Sequence, residues 1–405
     1  MGIQVICGNS LEVLKTLPEN SVQCVVTSPP YWALRNYGTE GQLWGGDKDC
    51  QHEFELIDPR RGRTLEDVKS SGKSIIQPSN VGSCHELPKT NLCKKCGGWV
   101  GELGLEPYYQ MYVDHLSMIF DEVYRVLRKD GTLWLNIGDS YSASGKCGGR
   151  NNGNTKRLHK NLNAVCNKDV LNVDIYGPST LRQTLSPKNL CGIPWRVAFV
   201  LQDKGWILRS DIIWQKPSPV PESVTDRCTR SKEYVFMLTK SKKYYFNYEA
   251  VLQPYAKVTL GRYKYSRNCR HDDSNMMAST GIGFHHNGPT KVFNPKGKRL
   301  RDVWKIANPG IKEAHFATMP KQLIERCLMA GCPEGGVVMD PFGGSGQVAL
   351  VADKLHMSAI SIDVSEKYCE FQRNRIAKQR KEILEKEHDE MKHADTSEVI
   401  KYEIN

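Results

Sequence analysis

Long apolar runs are missing from this 405-residue chain. None approaches the roughly 18 consecutive residues that a membrane-spanning helix needs, so no membrane partner is expected. The amino terminus, M-G-I-Q-V-I-C, lacks a charged leader and reads as a short strand, which argues against export. No internal repeat recurs, and a solenoid or propeller is therefore not expected. Paired cysteine spacings are scarce too. Of fourteen cysteines most stand alone in apolar stretches, as Cys24, Cys327 and Cys369 do, and only the group from Cys50 to Cys96 is clustered. That usage fits reduced thiols inside a cell rather than a disulfide framework.

What is present is a globular composition, 39% hydrophobic and 25% charged, with a formal charge of +11 that is unevenly placed. The length allows one large domain with insertions or two ordinary ones. Between Pro254 and Arg301 stand ten basic residues: Lys257, Arg262, Lys264, Arg267, Arg270, Lys291, Lys296, Lys298, Arg299 and Arg301. Only Asp272 and Asp273 oppose them, and Tyr255, Tyr263, Tyr265, Phe284 and Phe293 are interleaved. Basic residues mixed with aromatics suit a polyphosphate backbone and exposed bases. The plainer alternative is a solvated loop.

Periodicity gives a short strand at 3–7, a capped amphipathic helix at 10–17 and a second strand at 22–27. Helical spacing over 107–128 leads through the turn signal K-D-G into a strand at 132–138. A further helix precedes the strand at 206–214, and a hairpin-like stretch follows it. M-P-K-Q-L-I-E-R-C-L-M-A-G then reads as a helix, followed by the strand G-V-V-M-D, a glycine turn, another helix and the strand S-A-I-S-I-D. Alternation of this kind means a parallel α/β sheet. Residues 44–102, 141–190 and 254–310 fit it poorly and are read as insertions or loops, where function tends to lie.

Two motifs stand at strand ends. V-V-T-S-P-P-Y-W, 25–32, ends its strand at Thr27, because two prolines cannot continue inside a sheet. V-V-M-D-P-F-G-G-S-G, 337–346, is a strand running into a glycine-rich turn, with Gly343, Gly344 and Gly346 permitting close ligand approach. No lysine follows Gly346, so this is not a nucleotide-phosphate loop. Asp363, about twenty residues on, is placed for ribose hydroxyls.

D-P-F-G-G-S-G together with T-S-P-P-Y-W resembles the S-adenosylmethionine-dependent amino-methyltransferases of DNA. The proline motif precedes the glycine motif, which is similar to the circularly permuted β class, and the resemblance covers most of residues 1–375. It implies a Rossmann-like, seven-stranded sheet. It also implies cofactor contacts at Asp340, Pro341, Phe342, Gly343, Gly344, Gly346 and Asp363, with Thr27 beside them. H-F-A-T-M-P-K, 315–321, matches the segment holding the methionine moiety, through Phe316, Thr318 and Pro320. C-G-N-S-L-E-V-L, 7–14, matches a segment whose acid meets the adenine; Cys7, Gly8 and Asn9 align there, with Asn9 in place of the acid.

The catalytic residues implied are Ser28, Pro29, Pro30 and Tyr31. An exocyclic amine is a poor nucleophile because its lone pair is delocalised into the ring. The Ser28 hydroxyl and Pro29 carbonyl can accept both amine hydrogens, the prolines stiffen the loop, and Tyr31 offers a ring to an extruded base. The chain has no Pro-Cys dipeptide, which counts against ring-carbon methylation by a thiolate. Ser28, where adenine-directed relatives usually carry Asp or Asn, points to N4 of cytosine in double-stranded DNA. N6 of adenine, an RNA substrate, and an idle zinc-dependent nucleic-acid binder are the alternatives.

Relatives usually join G-Q-L to G-L-E-P directly, whereas about sixty residues separate 41–43 from 103–107 here. That insert carries Cys50-x-His52 and Cys93-x-x-Cys96, a pattern suited to structural zinc, with Cys84 or His85 as substitute ligands. The expected organisation is a catalytic domain over 1–375, an insert over 44–102, a target-recognition region over 216–310 and a charged helical tail over 376–405. A homodimer, a restriction enzyme and a chromatin partner all stay open. The location would be cytoplasmic in a bacterium or phage and nuclear in a eukaryote.

Overall fold

The computed structural model describes residues 2–34, 37–58, 63–64, 90–142, 185–186, 188–258, 294, 296–308 and 318–402. An eight-stranded sheet forms its centre, in the order β1 (Ile3–Cys7), β13 (Ser358–Asp363), β12 (Val337–Asp340), β2 (Val22–Thr27), β8 (Leu127–Ile137), β10 (Lys232–Thr239), β9 (Ile207–Gln215) and β11 (Val303–Lys305). Strand β10 runs antiparallel to both neighbours, and every other pairing is parallel. The seven strands expected are joined by the three-residue β11 at one edge.

Helices cover both faces, as parallel strands require. On one face lie α1 (Ser10–Thr16), α2 (Tyr109–Val126) and α3 (Ile193–Asp203), packed through Leu14, Tyr112, Leu116, Phe120 and Val197. On the other lie α4 (Lys321–Gly331) and α5 (Gln347–Lys354), packed through Leu323, Cys327, Val348 and Val351. The last helix, α6 (Glu366–Tyr402), contributes Ile376 to that second core. Helix α1 starts where the Asn9 side chain accepts the Leu11 N–H at 2.8 Å. Helix α3 is capped from outside: the Asp139 carboxylate accepts the N–H groups of Gly192 and Ile193 at 3.1 and 3.0 Å. Asp139 is therefore a structural cap here.

The K-D-G turn signal has a different outcome. Leu127 pairs with Val22 and Thr132 with Cys24, so Arg128–Gly131 bulge out opposite Gln23 within one long strand. The stretch after β10 does not fold back as a hairpin; β10 pairs with β9 instead.

A second, antiparallel sheet has the order β3 (Gln42–Trp44), β7 (Trp99–Gly101), β6 (Thr90–Cys93), β4 (Phe54–Asp58), β5 (Arg63–Thr64). Polar composition gave it little core of its own. Instead Trp44 and Trp99 stack on His115 of α2, with ring centroids 5.3 and 5.5 Å apart, and both join the main core. His115 pairs with buried Glu106 at 3.1 Å, consistent with packing rather than catalysis.

Candidate active site

Strands β2, β12 and β13 are parallel neighbours, so Thr27, Asp340 and Asp363 emerge at one sheet edge. Ligands bind at such carboxyl ends in open α/β sheets. A cleft of about 220 Å³ opens there and is lined by both motifs at once. Its walls include Ser28, Pro29, Pro30 and Tyr31 from the proline loop, and Asp340, Pro341, Phe342, Gly343 and Gly344 from the glycine turn. Asn9, Thr318 and Asp363 complete the expected set that faces it.

The glycine turn is built by close contacts. Gly346 has φ +72°, and a Cβ there would meet the Gln372 side chain at 2.8 Å. A Cβ on Gly343 would lie 2.2 Å from Ser361 Oγ. Asp363 accepts the Gly344 N–H at 2.7 Å on one oxygen and the Ser365 N–H at 2.9 Å on the other. Each oxygen keeps a lone pair for a further donor. Burial raises the Asp363 pKa. Asp340 accepts the Thr27 hydroxyl at 2.6 Å and the Phe342 N–H at 3.0 Å. Burial still pushes its pKa to about 7, despite those two donors.

The proline loop is equally fixed. Tyr112 donates its hydroxyl to the Pro30 carbonyl at 2.7 Å, and Trp32, 6% exposed, donates its indole N–H to the Glu106 carbonyl. Trp32 is thus core. Ser28 Oγ donates to Tyr31 Oη at 3.3 Å, and Tyr31 Oη donates to Glu233 Oε2 at 2.7 Å. Glu233 is held by the Asn136 side-chain amide at 3.1 Å and by the Lys216 ammonium. The Tyr31 ring packs on Gly138, where a Cβ would come within 2.5 Å of it. Burial, then the Glu233 charge, lifts the Tyr31 pKa far above its usual range.

Lys216, Glu233 and Asn136 line the cleft and were missed from sequence. A signal existed. Because β10 is antiparallel, its first residues reach the same edge as the last residues of β9, bringing K-E beside Q-K.

Some expected contacts lie behind the cleft. Gly8 donates its N–H to the Asp363 carbonyl, and Cys7 is exposed at the end of β1. Thr27 acts through Asp340, Gly346 shapes the turn, and Pro320 caps α4. Phe316 lies outside the described residues, as do Arg262, Lys264, Arg267, Arg270, Lys291, Cys84 and His85. Of the remaining basic residues, Lys257 is exposed and Lys298 sits in a backbone bridge to Gln253. Lys296 pairs with Glu249 at 2.8 Å, and Arg299 lies over the Tyr248 ring.

Cys50, His52, Cys93 and Cys96 converge, with all four ligand atoms within 4.8 Å of one another. Cys50 Sγ lies 3.8 Å from Cys93 Sγ, and Cys96 Sγ lies 3.4 Å from His52 Nδ1. Tetrahedral zinc with bonds near 2.3 Å to sulfur and 2.0 Å to nitrogen needs ligand edges of roughly 3.8 and 3.5 Å. The four residues fit that ion.

Comparison with known proteins shows the family. The profile of the DNA methylase family, covering N6 and N4 methyltransferases, matches residues 22–378. The type II methyltransferase M.Cfr9I of Citrobacter freundii is 33% identical, over 93% of this chain and 88% of its own length. M.SmaI of Serratia marcescens, also a type II methyltransferase, is 31% identical over 93% and 91%. Among solved structures, the cytosine-N4-specific PvuII DNA methyltransferase aligns with a TM-score of 0.49 at 16% identity, over 95% of this chain and 93% of that one. No described helix is long and apolar enough to cross a membrane. By its matching profile and its relatives, the chain belongs to the N6/N4 DNA methylase family.

Proposed function

We propose that the protein methylates N4 of a cytosine turned out of duplex DNA, with S-adenosylmethionine as donor. One observation carries this reading: the Ser28 hydroxyl and the glycine turn face the same cleft. The residues fit that donor. Both Asp363 oxygens keep lone pairs for ribose hydroxyls, and buried Gln347 Nε2, at the cleft wall, has no hydrogen-bond partner among the described residues. When bound, S-adenosylmethionine supplies an electrophilic methyl group on a sulfonium.

The chain's own residues do the rest. Ser28 Oγ, with its hydrogen directed to Tyr31, keeps lone pairs to accept one amine hydrogen, and the Pro29 carbonyl accepts the other. The amine nitrogen gains a methyl group and sheds one proton. The line Ser28–Tyr31–Glu233 offers that proton a route from the cleft to a carboxylate. Cys50, His52, Cys93 and Cys96 would hold zinc with no open position, a structural role rather than a catalytic one. The exposed basic residues around 254–301 would meet the DNA backbone. A cytoplasmic modification enzyme of the type II kind is the setting in which we place it.

The test uses labelled donor and unmethylated DNA, followed by digestion to nucleosides and mass analysis. N4-methylcytosine supports the reading. N6-methyladenine, or no transfer, overturns it.

A further inference from the structure

We infer that Gln42, at the mouth of the metal-bearing insert, recognises the adenine of the cofactor, and that the insert holds it at the cleft. This deepens the proposed S-adenosylmethionine site and rests on it. The starting point is Asn9. A carboxylate at that position would offer only acceptors, whereas the amide here is divided between two tasks. Asn9 Oδ1 accepts the Leu11 N–H at 2.8 Å, and Asn9 Nδ2 donates to Gln42 Oε1 at 2.8 Å. Both residues are half-buried and both line the cleft, beside Ser10, whose hydroxyl is bound to the Pro341 carbonyl of the glycine turn.

The bond fixes what each side chain has left. Gln42 Oε1 faces Asn9, which turns the Gln42 Nε2 hydrogens toward other partners. Asn9 Oδ1 keeps one lone pair. A donor beside an acceptor complements the edge of a 6-aminopurine, whose amine donates and whose ring nitrogen N1 accepts. An amide pair therefore restores, with one extra donor, the recognition that a single carboxylate would give.

Gln42 does not belong to the methyltransferase sheet. It begins β3, which pairs with β7, and Gly101 opposite it is separated from Cys96 by only a few residues. Beyond Trp44 the chain turns over the proposed zinc site: a Cβ on Gly46 would meet Gly98 Cα at 2.7 Å and Cys96 Sγ at 2.9 Å. Trp44 locks the other side by donating to the Gly101 carbonyl and stacking on His115. The strand that carries Gln42 is thus held between the four ligands and α2. Metal binding and cofactor binding share one strand.

Calorimetric titration with S-adenosylhomocysteine tests this on the full chain. Four samples are compared: native and Gln42→Ala protein, each zinc-loaded and chelator-treated. Zinc-loaded Gln42→Ala should bind about tenfold more weakly than native. Chelation should weaken native protein at least as much and add little to the variant. The 6-oxo analogue, S-inosylhomocysteine, should be rejected by native protein and less so by Gln42→Ala. Affinity within twofold of native for the loaded variant overturns the inference, as does unchanged affinity of chelated native protein. Loaded native protein that binds no S-adenosylhomocysteine would instead overturn the methyltransferase reading itself.

Discussion

Thr27 and Asp340 lie 313 positions apart in sequence, yet the threonine hydroxyl donates to the carboxylate across 2.6 Å at the centre of the sheet. That bond joins the strand bearing the proline loop to the strand bearing the glycine turn. It also sets a pH response. Unfolded, the Asp340 carboxyl loses its proton near 3.8, whereas burial in the native protein holds it to about 7. Between those values the native state binds one more proton than the unfolded chain. Stability therefore falls as pH rises through that window, by up to about 1.4 kcal/mol per pH unit, and levels off above it. Urea unfolding at a series of pH values should show the decline in native protein and its loss in Asp340→Asn. Thr27→Val removes a bond that favours the carboxylate, so the decline should extend to higher pH.

Ser28 and Asp363 both face the cleft, and the proposed reaction gives them separate tasks. Ser28→Ala should lower kcat by about a hundredfold or more while donor affinity stays near native. Asp363→Ala should mainly weaken the donor. Single-turnover rates and donor titrations measure both, and the reverse pattern contradicts the roles.

Glu233→Gln keeps the shape of the side chain and removes its charge. The Lys216 ammonium then loses its partner, and the proton route from Ser28 ends on a neutral amide. Turnover should drop by about a hundredfold with donor affinity unchanged. Recovery of rate at high pH would support the proton-accepting role; a loss confined to donor binding would refute it.

Metal analysis should find one zinc per chain. Cys96→Ser or chelation should lower the melting temperature by roughly 5 °C or more, because a four-ligand site contributes folding free energy directly. A zinc-free protein with native melting would show that the four side chains merely cluster.

Much of this was legible in sequence because it is local. Two prolines after V-V-T-S, three glycines after V-V-M-D, and the two short pairs C-x-H and C-x-x-C are each written within a dozen residues of sequence. Strand and helix periodicity placed most elements for the same reason. The parts that escaped depend on which strands become neighbours. Glu233 reaches the cleft because β10 runs antiparallel and brings its first residues there. K-D-G looked like a turn between elements because nothing local shows that Leu127 already pairs with Val22. Nothing local shows that Trp32 is core, because its N–H partner, the Glu106 carbonyl, lies 74 positions away.

The long span between Thr27 and Asp340 bears on how the protein is born. A ribosome releases Thr27 313 positions before Asp340, with the whole insert between them. Until β12 emerges and docks beside β2, the loop has no partner strand to hold it and no donor crevice to face. The cleft therefore cannot assemble on a nascent chain before β12 has emerged, whatever else has already folded.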